Sequence, residues 1–340
     1  MTVSVRDVAG AAGVSVGTVS NVLNRPEKVS PETVARVLGV IDRLGFVRND
    51  AARQLRAGRS RTIGLVVLDL RNPFFTEVAR GAEERAGVDG LSVLVANSDE
   101  KQDREATHLD LFEEQRVFGV LVTPVAENLA KLRRMRDRGI PAVFVDRESR
   151  DPSFASVAVD DVEGGRIAAA HLLDVGRRRL AFVGGPISTR QVSDRLDGAQ
   201  RAVAAFGADA TLEFLGTSAL TVDEGRRAGR RIAERERAAR PDAIFAANDL
   251  LAIGLLHSLV MTAQVRIPDD VAVIGYDDIG FASTAVIPLS SVRQPAALIG
   301  STAVDLLVDP SRDQARPGEH VVFRPELIVR ETTVSGARRD

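Results

Sequence analysis

Apolar residues near the start of the chain recur at helical spacing and stop at glycines. Val5, Val8, Ala9 and Ala12 make one stripe, the spacing of an amphipathic helix. Ser4 precedes it as a candidate N-cap, and Asp7 completes a near capping box. Gly13 breaks the pattern. Ser15 can cap a second helix whose inner face is Val19, Val22 and Leu23. Ser30-Pro31 opens a third, with Val34, Val37, Leu38, Ile41 and Leu44 on one face and Gly45 at its end. Two helices across a tight Gly13-Val14 turn, followed by a third, form a helix-turn-helix unit. The second helix then turns Val16, Gly17, Thr18, Ser20 and Asn21 outward. Such a face can reach base edges in a major groove: Asn21 pairs with adenine, and Val16 touches a thymine methyl. A plain three-helix bundle with a polar face fits the same spacing.

The next stretch, Val47 to Gly58, holds a short polar helix pattern capped by Asn49. Leu55 stands there without an apolar stripe, among Arg53, Arg56, Arg59 and Arg61. It reads either as an incidental leucine in a linker or as a wedge for a minor-groove base step, with arginines on phosphates. From Thr62 onward the rhythm changes. Apolar runs at Ile63–Leu68, Leu91–Ala96, Gly119–Thr123, Ala142–Asp146, Leu180–Gly184, Ala243–Ala247 and Val271–Tyr276 alternate with amphipathic segments such as Phe74–Ala86 and Asp161–Val175. This is the βαβ pattern of parallel sheets covered by helices, over a length that suggests two lobes.

Charge sharpens this division. Residues 1–62 hold ten Lys or Arg against five Asp or Glu, while the remainder holds 35 against 42. A basic head on an acidic body suggests that the head meets a polyanion. The chain has no Cys, which excludes disulfides and thiolate metal sites. No apolar run suits a membrane span, and the first residues do not read as a signal peptide. A cytoplasmic, nucleoid-associated protein is expected. In open parallel sheets ligands sit beyond the carboxyl ends of the strands. The polar residues that end the runs are Asp69, Asn97, Asp146, Arg147, Asn248, Asp249 and Asp277.

The sequence resembles the LacI/GalR family of bacterial regulators. The resemblance rests on VSVRDVAGAAGVSVGTVSNVLNRPEKVSPETVARVLGVIDRLGFVRNDAARQLR, then TIGLVV, NPFF, VFVDR, VAVDDVEGGRIAAAHLL, FAANDLLAIG, VIGYDDI and VRQP in that order. It spans about residues 3 to 333. It implies an α/β protein: a helix-turn-helix head at 1–47, a hinge helix and linker at 48–61, and a two-lobed periplasmic-binding-protein-like domain of parallel sheets flanked by helices at 62–336. Three crossovers would join an N-lobe (about 62–161 and 291–324) to a C-lobe (about 162–290 and 325–336). The implied DNA contacts are Ser15, Val16, Gly17, Thr18, Ser20, Asn21, Asn24 and Arg25, with Asn49, Arg53, Leu55 and Arg56 in the hinge. Val16 and Gly17 stand at base-reading positions yet offer no hydrogen bond, so Asn21 carries more of the polar reading. The implied effector contacts are Phe74, Phe75, Asp146, Arg147, Asp160, Arg195, Asn248, Asp277 and Gln294.

Carboxylates, amides and an arginine can bracket neighbouring hydroxyls, so a sugar or sugar derivative is the expected effector. A purine or nucleoside is the alternative, as is dependence on a co-repressor. The expected partners are double-stranded operator DNA, the effector and a second copy of the chain. No cofactor, metal or membrane is expected. A dimer matches a near-palindromic operator, and the tail after Val334 lacks a leucine heptad for tetramers. A solute-binding protein would lack the basic head. An enzyme is not expected: no G-x-G-x-x-G or G-x-x-x-x-G-K-[ST] occurs, and His108, His171, His257 and His320 show no metal spacing.

Overall fold

A computed structural model describes residues 3–46, 60–125, 129–308 and 318–334. The chain divides into two compact units, Met1–Ser60 and Arg61–Asp340.

In the first unit, α1 (Val5–Ala12), α2 (Val16–Asn24) and α3 (Pro31–Leu44) pack around Val8, Ala9, Ala12, Val19, Val22, Val37 and Val40. The local signals decide the helix ends. Ser4 accepts from the Asp7 amide, and Asp7 accepts from the Ser4 amide at 2.8 Å, closing the capping box. Gly13 and Gly45 end α1 and α3 in the left-handed region, at φ 65° and 62°, where a Cβ would be strained. The inner face of α3 differs from the expected one in a single residue. Leu38 is exposed and Val40 is buried in its place, because α3 is rotated so that Val37 and Val40, three residues apart, face α1.

The second unit holds two six-stranded sheets. One contains β1 (Thr62–Val67), β2 (Ser92–Asn97), β3 (Gly119–Val122), β4 (Ala142–Val145), β5 (Ala155–Val159) and β11 (His320–Phe323), in the order β11-β5-β4-β3-β1-β2. The other contains β6 (Arg179–Gly184), β7 (Thr211–Gly216), β8 (Ala243–Ala246), β9 (Ala272–Asp277), β10 (Ser290–Arg293) and β12 (Glu326–Ile328), in the order β12-β10-β9-β8-β6-β7. All neighbours are parallel except β12, which runs antiparallel to β10. The chain explains the exception. It leaves the end of β11 and enters the second lobe directly, running away from the cleft that the other strands run toward.

The crossovers fall at Asp160, at 294–295 and at 324–325. The second lies later than the expected return at about residue 291. Ser290–Arg293 is hydrogen-bonded into the second sheet beside β9, and its short polar text carries no apolar run to betray a strand. Helices α4 (Pro73–Val88), α5 (Gln102–Glu114), α6 (Ala130–Asp137) and α11 (Ala296–Val308) cover the first sheet, while α7 (Asp161–Asp174), α8 (Arg190–Phe206), α9 (Val222–Ala233) and α10 (Asp249–Leu256) cover the second. Strands buried on both faces read as continuous Val, Ile, Leu and Ala. In β1, Ile63, Leu65 and Val67 join the core under α4 and α11, and Val66 joins the one under α5 and α6.

Three helix pairs cross in the same way. A methyl on Gly81 would collide with the Ala297 carbonyl and one on Gly300 with that of Val78, locking α4 to α11. Gly165 and Gly198 sit likewise against the Arg195 and Val162 carbonyls, and Gly225 and Gly254 against those of Leu251 and Val222. Each crossing is therefore backbone against backbone, which leaves the helices little freedom to slide. The second crossing fixes the helix that carries Arg195.

Candidate functional site

Two surfaces stand out, one in each unit. In the head, Ser15, Val16, Gly17, Asn21, Asn24 and Arg25 are exposed, and Thr18 and Ser20 are half-buried. Ser15 accepts from the Thr18 amide at 3.0 Å and shares a hydrogen bond with the Thr18 hydroxyl at 2.9 Å. Asn24 turns back along its own helix and donates to the Ser20 carbonyl at 2.9 Å. Val16 is 41% exposed, which leaves its methyls on the outer face. A Cβ on Gly17 would meet only Ser15 Oγ, at 3.5 Å, so packing does not require glycine there. The face is small, polar and open at the helix N-terminus, the geometry a major groove admits. Asn49, Arg53, Leu55 and Arg56 lie outside the described residues.

The second surface is the cleft between the lobes, where the carboxyl ends of both sheets meet. It brings together seven of the nine effector candidates: Phe74, Phe75, Asp146, Arg195, Asn248, Asp277 and Gln294. It leaves two outside. Arg147 follows Asp146 but turns away and donates to the Pro124 carbonyl at 3.1 Å. Asp160 caps α7, accepting from the Glu163 amide at 2.9 Å, and is exposed. Both line an adjoining pocket instead, which shares Asp146 and Gln191 with the inner cleft.

The cleft is closed by hydrogen bonds from lobe to lobe. Asn72 Nδ2 of the first lobe donates to Asp277 Oδ2 at 2.9 Å, while Gln294, at the crossover beside Asp277, donates from Nε2 to Asp277 Oδ1 at 2.8 Å. Gln191 Nε2 donates to the Asp146 carbonyl at 2.9 Å and to its Oδ2 at 3.0 Å. An apolar seam supports them: Leu250, Ile253 and Ile279 of the second lobe pack into the core that holds Phe74 and Phe75. The inner part of the cleft holds about 40 Å³ of free space, room for a few waters and far less than a sugar; the wider pocket that adjoins it past Asp146 and Gln191 holds about 390 Å³. A sugar seated on Asp277 and Arg195 in the inner part therefore requires the lobes to part.

Among the described residues, Arg195 is the one cation lining the inner part of the cleft. Its Nε donates to Asp161 Oδ1 at 2.7 Å and its Nη1 to the Ala247 carbonyl at 2.7 Å, with Asp277 at 3.8 Å. The guanidinium lies 3.7 Å from the centre of the Tyr276 ring, a stacked arrangement. Burial works against its charge, but Asp161 and the other neighbouring acids outweigh burial and hold its pKa above the ordinary value.

The carboxyls behave oppositely. Burial pushes Asp277 up to about 6, against the pull of Arg195 and the Asn72 and Gln294 amides. Burial, reinforced by Asp161, pushes Asp146 well above the usual carboxylate range. Asp249, beneath the cleft, is raised by burial while accepting from the Ile279 amide at 2.8 Å and the Ser291 hydroxyl at 2.6 Å. Asp146 and Asp277 also adopt φ of 60° and 100°. Such conformations cost roughly 1–3 kcal/mol each and persist where the surroundings impose them, commonly at ligand sites. Asp146 Oδ1 and Gln294 Oε1 are buried without a hydrogen-bond partner.

Sequence reasoning did not single out Asn72 and Gln191. Asn72 caps α4, accepting from the Phe74 amide at 3.1 Å, and reads in the sequence as a helix start. Gln191 stands one helical turn before Arg195, a spacing that places both on one face and would have revealed it. His171 lies in α7, bonded to Thr333 at 2.8 Å, a structural role. The described residues contain no cluster suited to a metal and no helix long and apolar enough to cross a membrane.

Residues 4–49 match the profile of bacterial regulatory proteins, lacI family, and residues 169–333 match a periplasmic binding protein-like domain. The chain is 31% identical to the HTH-type transcriptional repressor PurR of Photobacterium profundum, over 97% of this chain and 98% of that protein. It is 32% identical to the ribose operon repressor of Bacillus subtilis, again over 97% and 98%. The crystal structure of the lac repressor dimer bound to operator and the anti-inducer ONPF superposes with a TM-score of 0.82 at 26% identity, covering 98% of this chain and 100% of that one. Its relatives regulate transcription rather than catalyse reactions. The chain belongs to the LacI family of bacterial DNA-binding transcriptional regulators.

Proposed function

We propose that the chain is a repressor that binds a near-palindromic operator as a homodimer, and that a small molecule held in the cleft sets its affinity for that operator. The single observation that carries the effector part is the cleft itself. Two buried carboxyls in strained backbone, each bonded by an amide from the opposite lobe, form a latch that a ligand with suitable hydroxyls can replace. The effector is a sugar or sugar derivative, consistent with the ribose operon repressor among its relatives. Phe74 and Phe75, packed edge to face at 5.1 Å, offer the apolar contact that a sugar ring face needs.

The dimer reading rests on the sheet edges. β2 and β7 are the terminal strands of their sheets, and they expose Leu94, Val95 and Phe214. Leu111 and Phe206 on neighbouring helices are exposed as well. An uncovered apolar edge invites pairing with another chain, and two such edges on one chain suit an isologous interface. In the head, Asn21 reads base edges, Val16 makes apolar contact, and Ser15, Thr18, Ser20, Asn24 and Arg25 position the helix. The coupling is assigned to residues 48–61, the hinge and linker that the family resemblance implies. The protein works in the cytoplasm on the nucleoid.

The test has two parts. Selection from random duplex DNA by the full chain should enrich a site with two related half-sites, and light scattering should give the mass of two chains. A monomer, or no enriched sequence, overturns the proposal.

A further inference from the structure

Charge and hydrogen-bonding capacity in the cleft are both one-sided. Among the described residues, Asp69, Glu100, Asp146 and Asp277 line its inner part, against Arg195 alone, and in the adjoining pocket six acids face three arginines. Arg195 is already committed: Asp161 and the Ala247 carbonyl take its Nε and Nη1. Asp69 has a salt bridge with Arg71 at 2.9 Å, but Arg71 is 65% exposed and screened by water. Glu100 is raised by burial and by Asp69 and Asp99. Asp146 is 4% exposed and meets Gln191, a neutral amide, rather than a cation.

The two buried atoms without partners among the lining residues are both acceptors. Asp277 accepts from Gln294 Nε2, which fixes that amide's orientation and leaves its Oε1 to find a donor. Gln191 occupies Asp146 Oδ2 and leaves Oδ1 in the same position. Buried acceptors of this kind are costly unless a donor reaches them. A phosphate or carboxylate ligand would supply further acceptors and negative charge. A protonated amine supplies three donors, and its charge favours the ionised form of the carboxyls that burial has raised.

Resting on the effector reading above, we propose that the cleft takes a polyol bearing a protonated amino group and excludes phosphorylated and acidic sugars. The hydroxyls replace the lobe-to-lobe amide bonds, and the ammonium donates to Asp146 Oδ1 and the carboxyls around it.

The test uses the full chain and a matched panel, in which glucose, galactose and mannose are each offered as the free sugar, the 2-amino-2-deoxy sugar and the 6-phosphate. Nucleosides are included. Thermal shift identifies binders, and calorimetry gives their affinities. The expected result is that an amino sugar binds at least about tenfold more tightly than its parent, since charge-assisted hydrogen bonds are about twice as strong as neutral ones. The phosphates should produce no shift. Asp146→Asn, checked for folding by circular dichroism, should erase the preference for the amine. A parent sugar, phosphate or nucleoside that binds as well as any amino sugar overturns this proposal and leaves the effector reading standing. Failure of every compound to bind, with the operator still recognised, overturns both.

Discussion

Asn72 and Asp277, one from each lobe, meet across the cleft at 2.9 Å. The same asparagine caps α4 through its Oδ1, which accepts from the Phe74 amide at 3.1 Å. Cap and latch can be separated by substitution. Asn72→Ser keeps a good N-cap but cannot reach Asp277, which then stays buried with one donor fewer. The expected loss in urea denaturation is about 1–3 kcal/mol. Asn72→Ala should lose roughly 1 kcal/mol more, because the cap goes as well.

Asp277 also sets a pH dependence. Its pKa is about 6 in the folded protein against an ordinary 3.8. The groups around it are Arg195, Asp161, Asn72 and Gln294, with Asp146 and Asp249 raised in the same direction. A carboxyl raised by folding binds its proton more tightly in the folded state. Its contribution is complete below pH 4 and is lost as pH rises through about 6, at a cost of about 3 kcal/mol. Thermal stability should therefore fall from pH 5 to pH 7. Asp277→Asn should reduce that slope; an unchanged slope would remove Asp277 as its source.

Gly165 and Gly39 give opposite expectations for one substitution. Alanine at Gly165 collides with the Arg195 carbonyl, which forces α7 and α8 apart at a cost of about 1–3 kcal/mol. The Arg195 contacts to Asp161 and Ala247 should loosen with it. Gly39 lies in α3 with nothing within 4 Å of a new Cβ, so Gly39→Ala should stabilise the head by about 0.5–1 kcal/mol. Urea denaturation reads the first, and hydrogen exchange of the α3 amides reads the second.

Legibility in the sequence follows the range of each interaction. Ser4, Ser15, Ser30, Gly13 and Gly45 announce the head helices because caps and turns act over three or four residues. The buried strands show as apolar runs because both faces are covered. β10 does not, since Ser290 and Ser291 supply no apolar signal and are buried by long-range pairing. Leu38 obeys helical spacing, and the rotation of α3 in the bundle leaves it outside. In the cleft, Asp146, Asn248 and Asp277 show as polar residues where strands end, while Arg195, inside α8, comes from the family resemblance alone. Asn72 meets its partner 205 residues away and Gln191 meets one 45 away, distances over which no periodicity carries. Arg147 shows the converse, because a positive φ at Asp146 sends the following side chain elsewhere.

Operator reading concentrates on few side chains, since Val16 and Gly17 donate nothing. Asn21 makes no side-chain hydrogen bond within the described residues. Asn21→Ala should weaken binding to the selected operator by about 10- to 100-fold, the worth of a lost bidentate base contact. Binding to random duplex, governed by phosphate contacts, should stay unchanged. Fluorescence anisotropy at fixed salt reads both.

The central claim is that the cleft controls the head. Labelled operator titrated with the full chain, with and without a saturating cleft ligand from the thermal-shift panel, tests it most directly. A change in operator Kd of about tenfold or more, a coupling of ordinary size for two linked sites, is the predicted result. An operator Kd that stays the same with the cleft saturated would contradict it.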